Sequence, residues 1–212
     1  MFVIFDWDGT VSDSTGKIVR CVQQAGRSLN LPTLAPAQIK EIIGLSLPKA
    51  VAELYPTLNN AGIQALAQAY SQHYVADCEV PGFYPGAREA LEQLRDAGVA
   101  LGIATGKSRQ GLNRVLRQLR LEGFFNATRT ADETASKPDP QMLNELLQEH
   151  RSIAEHAIMV GDTEFDMAMA QAINMPRIAV DYGAHAIDRL KNYDPILCVG
   201  NLLDMSRQLL SR

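Results

Sequence analysis

Two aspartates two residues apart, Asp6 and Asp8, close a short apolar run, Val3-Ile4-Phe5, and are followed by Gly9 and the hydroxyl of Thr10. So short a run of β-formers reads as a buried strand, and carboxylates at its C-terminal end sit where open α/β sheets place ligands. Two acids this close repel each other, so the pair calls for a divalent cation, a shared proton or a basic neighbour. Turn acids that cap the next helix are the plainer alternative. Three later stretches weigh against it. Thr105-Gly106 offers a hydroxyl and a backbone N–H that can hold a phosphate oxygen at a helix entrance. Lys137 precedes Pro138, which makes it a point charge at a proline-fixed helix start. Asp162 and Asp166 stand four apart at another helix start, where they also suit the helix dipole.

The elements that must position these residues follow from the hydrophobic pattern. Residues 99–104, 124–130, 157–160 and 177–180 read as further strands. Helical patterns fill 87–97, 108–119, the stretch after Asp139-Pro140, and 165–173, with two more helices after the last strand. Strand–helix alternation predicts a doubly wound, Rossmann-like parallel sheet, an α/β fold with helices on both faces. Residues 14–81 read as helices only, with Asn60 as a cap of the fourth, and end at the Pro/Gly-rich connector Val80–Gly86. They are expected to form a small all-helical cap domain inserted after the first strand, over a core of residues 1–13 and 82–212. In a doubly wound sheet the first strand is central, and the strand before Asp162 becomes its neighbour across the switch point. Asp6, Asp8 and Asp162 can then share an oxygen-rich site of Mg²⁺ size, with Thr105 and Lys137 neutralising an anion beside it.

Acids outnumber bases 24 to 20, which argues against a nucleic-acid or anionic-membrane partner. The three cysteines, Cys21, Cys78 and Cys198, are far apart and form no CxxC pair, so neither a disulfide framework nor a zinc site is expected. No apolar run approaches the ~20 residues of a membrane span, and no basic and apolar leader precedes the acidic motif. A cytoplasmic protein, monomer or homodimer, is expected.

Taken together, the four motifs resemble those of the haloacid dehalogenase superfamily of phosphohydrolases. Phe5-Asp6-Trp7-Asp8-Gly9-Thr10 is similar to its first motif and Thr105 to its second. Lys137 with Pro138 is similar to the third, and Gly161-Asp162 with Asp166 to the fourth. A helical cap after the first motif resembles the phosphoglycolate-phosphatase and β-phosphoglucomutase branch. The resemblance implies that Asp6 is the nucleophile, forming an aspartyl-phosphate, and that Asp8 is the general acid and then the general base. It implies Mg²⁺ held by Asp6, the Asp8 carbonyl and Asp162, with Asp166 as an outer ligand or an orienter of Lys137. Thr105, Gly106 and Lys137 would hold the phosphoryl group. Many relatives place Asn after the second-motif hydroxyl, where this chain has Gly106. The implied activity is a Mg²⁺-dependent phosphatase for a small phosphorylated metabolite. A phosphomutase, a pyrophosphatase and a non-catalytic binding module are the alternatives.

Some residues read mainly as structural. Lys49, in a stretch resembling the cap loop that reads substrate, is a candidate for a substrate anion but reads more readily as a first-turn surface lysine. Lys107 reads as a solvated helix-entry charge, Trp7 as packing, and His73, His150, His156 and His185 as surface or capping histidines.

Overall fold

In the computed structural model, which describes residues 1–211, β1 (Phe2–Phe5) is buried at every position. Side chains alternate across a strand. Val3 and Phe5 accordingly join one apolar cluster, and Phe2 and Ile4 the other. Such a strand must lie in the middle of a sheet covered on both faces. The sheet has six parallel strands: β1, β2 (Ala100–Thr105), β3 (Ala127–Thr130), β4 (Ala157–Gly161), β5 (Arg177–Val180) and β6 (Leu197–Val199). Their order is β3-β2-β1-β4-β5-β6. The expectation of two helices alone after β5 is therefore corrected by one strand. β6 is three residues long with its middle residue exposed, too short to show a period.

Of the five helices between β1 and β2, the first four precede the return of the chain to the sheet: α1 (Thr15–Ser28), α2 (Pro36–Lys40), α3 (Leu47–Leu54) and α4 (Asn60–Ala76). They pack around two apolar clusters of their own, built on Ile18, Val22 and Ile43 and on Ala25, Val51 and Leu66. Asn59, not Asn60, caps α4, its side chain accepting from the Gly62 N–H. α2 stops at Lys40, earlier than its apolar pattern suggests, and the chain turns at Gly44, whose φ is +104°. The two connections to the sheet run side by side. Asp13 N donates to Gly82 O at 3.0 Å, and Tyr84 N to Val11 O at 3.1 Å.

The sheet's helices follow α4. α5 (Ala87–Asp96), α6 (Arg109–Gln118) and, last in the chain, α10 (Leu202–Leu210) cover one face. α7 (Gln141–His150) and α8 (Glu164–Gln171) cover the other. α9 (Ile187–Lys191) follows β5. Among the described residues no helix is long and apolar enough to cross a membrane.

Candidate active site

The register explains which side chains meet. Phe5 pairs with Val160 of β4 and with Ile103 of β2, so Asp6, Asp162 and Thr105 all emerge at the same carboxyl edge. Asp6, Asp162 and Asp166 can bring oxygens within 4.8 Å of one another, and all three are buried. Lys137, wholly buried, donates to Asp6 Oδ1 at 2.5 Å and to Asp166 Oδ1 at 2.6 Å. Asp166 is fixed by a capping box, its Oδ2 accepting from the Thr163 N–H at 3.1 Å and the Thr163 hydroxyl at 2.7 Å. Asp162 accepts from the Thr10 hydroxyl and from the Ala184 N–H, each at 2.7 Å. Gly9 is needed here, because a Cβ at its φ of +92° would overlap the Asp162 carboxylate.

Three carboxylates against one ammonium leave a buried net charge of −2, and burying unpaired charge is costly. Burial drives the Asp6 carboxyl well above the usual carboxylate range, with Asp166 and Asp162 adding to it against the pull of Lys137. Burial, then Asp166, pushes Asp162 up to about 7. For Lys137 burial pulls the other way, but Asp166 and Asp6 outweigh it and hold the ammonium above its ordinary value. Asp6 Oδ2 is buried without a hydrogen-bond partner among the described residues. An all-oxygen set, excess negative charge and one bare carboxylate oxygen fit a hard divalent cation.

Asp8 stands apart from this trio. Its Oδ1 accepts from the Ser14 hydroxyl at 2.5 Å and pairs with Lys107 Nζ at 2.9 Å. Of the four residues expected to hold a cation, Asp8 is thus left with its backbone carbonyl for that role. Lys107 is corrected from a solvated charge to a nearly buried partner of Asp8, stacked over the Tyr74 ring. Burial lowers its ammonium, and Asp8 more than restores it above the ordinary value. Its spacing from Thr105 was the available signal, since it ends the same strand-to-helix turn. Thr105 is buried, and its hydroxyl accepts from the Lys107 N–H at 3.2 Å.

The turn after α2 forms a roof over these loops. A Cβ on Gly106 would lie 2.5 Å from both Gly44 O and Leu45 O. Ser46 N donates to Ser136 Oγ at 2.9 Å, and Lys49 Nζ to Lys137 O at 3.3 Å. Lys49 therefore braces the loop that carries Lys137, while remaining largely exposed. Of the two roles expected for His185, surface or capping, the structure has the capping one in a buried setting: Nδ1 accepts from the Glu164 N–H at the start of α8 at 3.1 Å, and Nε2 lies 3.3 Å from Glu41 O. Arg189 pairs with both Glu41 and Glu164.

A doubly wound parallel sheet with an Asp-Asp-Lys-Asp centre at its carboxyl edge describes a class that comparison identifies. The model of the haloacid dehalogenase-like hydrolases matches residues 3–180, and the chain belongs to that family. It is 28% identical to a phosphoglycolate phosphatase of Vibrio cholerae, over 96% of this chain and 95% of that protein. It is 32% identical to a Dickeya dadantii protein named probable phosphatase IndB, over 93% of this chain and 88% of that one. Among solved structures, a hydrolase from Pseudomonas syringae matches with a TM-score of 0.89 at 24% identity, covering 99% of this chain and 97% of that one.

Proposed function

We propose that this chain is a Mg²⁺-dependent phosphatase that hydrolyses a small phosphomonoester through an aspartyl-phosphate on Asp6. The observation that carries this reading is the bare, buried Asp6 Oδ2 beside Lys137, with Asp8 held separately by Lys107 and Ser14. In the proposed reaction Asp6 forms a bond to phosphorus as the bond to the leaving oxygen breaks, and Asp8 gives that oxygen its proton. Asp8 then takes a proton from water. The water's oxygen bonds to phosphorus, and the Asp6–phosphorus bond breaks to release phosphate. Lys137, the Thr105 hydroxyl and the Gly106 N–H stabilise charge on the transferring group. Asp6, Asp162 and the Asp8 carbonyl would hold Mg²⁺, with Asp166 orienting Lys137 and completing the acidic set. The ion, when bound, offsets the repulsion between carboxylate and phosphate and stabilises the equatorial oxygens. We take residues 14–81 as a cap over a core of 1–13 and 82–212, moving about the paired connections at 12–17 and 80–86.

The test is phosphate release from a panel of phosphomonoesters, with Mg²⁺ and with EDTA, for the wild type and Asp6→Asn. Release that needs Mg²⁺ and vanishes in the variant supports the reading. Folded protein that releases phosphate from no member overturns it.

A further inference from the structure

Beside the site, between the four inserted helices and the sheet, lies a cavity of about 310 Å³. Asp8, Gly106 and Lys107 line one end, whereas Asp6, Lys137 and Asp162 do not reach it. The side of the phosphate ester that Asp8 would protonate therefore faces this space. Its walls are mainly carbon, from Ile18, Val22, Ile43, Leu54, Tyr70 and Tyr74.

Such a space is poorly matched to a two-carbon acid. A carboxylate there loses its water and needs a cation in exchange. Lys107 is already paired with Asp8, and Lys49 lies outside the lining with its ammonium on Lys137 O. Arg114 is on the wall and makes no ion pair among the described residues, but one guanidinium serves one end of a guest and leaves the carbon walls uncovered. A cavity of about 150 Å³ with aliphatic and aromatic walls already takes up a benzene-sized guest, so this one holds a larger body.

We propose that the substrate is a phosphomonoester whose alcohol carries an apolar ring or chain of about six or more carbons, seated in this cavity with its ester oxygen toward Asp8. This rests on the phosphatase reading above and names the substrate class for that site. The experiment compares kcat/KM for benzyl, hexyl and methyl phosphate and 2-phosphoglycolate, in the wild type and in Ile43→Trp, which fills the cavity. Val22→Phe fills the same space should Ile43→Trp fold poorly. Benzyl or hexyl phosphate should exceed 2-phosphoglycolate at least tenfold, and the benzyl-to-methyl ratio should fall at least tenfold in the filled variant. A preference for 2-phosphoglycolate, or a ratio that the filler leaves unmoved, overturns the proposal. Calorimetric binding separates it from failure of the phosphatase reading. If no ester is hydrolysed, 2-phenylethylphosphonate binding at least tenfold tighter than 3-phosphonopropionate still supports the apolar ligand class, and equal or absent binding overturns it.

Discussion

Gly106→Ala tests whether the roof seen here is part of the working enzyme. A Cβ on Gly106 meets two backbone carbonyl oxygens at 2.5 Å and the Gly44 carbonyl carbon at 2.8 Å, where ordinary contact begins near 3.4 Å. Neither oxygen belongs to a flexible side-chain end, so the 44–45 turn must withdraw by about 1 Å. Overpacking of this kind costs about 1–3 kcal/mol. Because the turn and Gly106 belong to units that we propose move apart, opening relieves the clash, and the cost falls on the closed state alone. At about 2 kcal/mol the closed population drops about 30-fold, since each 1.4 kcal/mol is tenfold. kcat/KM for phosphate release should fall by that order, while Tm moves by no more than about 3 °C. Gly106→Asn, with its larger side chain, should lose more. Proteolysis within 41–49 should quicken in both variants. Wild-type kcat/KM in Gly106→Ala would show that the close approach is not used in turnover. A fall in Tm of about 4–8 °C with normal activity per folded molecule would show the turn to be fixed core.

Three further outcomes follow from the same geometry. Mg²⁺ at about 100 times its Kd should stabilise the wild type by about 2.7 kcal/mol, or about 5–10 °C in Tm, and EDTA or Asp162→Asn should abolish the shift; a shift that survives Asp162→Asn would place the ion elsewhere. Lys107→Met removes the cation from Asp8, and kcat should fall at least tenfold with KM changed less than threefold; an exposed charge would leave both unaltered. Glu133 lies beyond β3, where hydrogen bonds from Arg109 and Thr130 pull its carboxyl down to about 2. Its folded pKa is depressed, so its contribution is present above about 4.5 and lost as pH falls toward 2. The group is partly exposed, so that contribution is about 0.5–1 kcal/mol after screening, and Glu133→Gln should flatten the wild type's Tm decline over that window. Equal slopes would refute it.

What the sequence could and could not reveal divides along physical lines. Asp6 and Asp162 are 156 residues apart, yet their meeting was legible, because chain reversal in a doubly wound sheet makes β4 the neighbour of β1. Local patterns were legible for the same kind of reason: two runs of buried carbon on one strand require cover on both faces, and the helical periodicity from Ser108 placed α6. Side-chain contacts between segments far apart in the chain were not. Lys107 looks like a solvated charge because its partner, Asp8, comes from another strand's end. Lys49 reads as a first-turn surface lysine or a substrate reader, and nothing in its neighbours says that Lys137 O lies within its reach. The burial of His185 gives no sign in the sequence because its cover, Glu41 O, comes from the far side of the same gap. Gly106 is the sharpest case. Its missing side chain reads as a lost phosphate contact, whereas the space that side chain would take is filled by the Gly44 and Leu45 carbonyls. A departure from a family pattern can therefore be the trace of a packing contact, and only the neighbour across the gap tells the two apart.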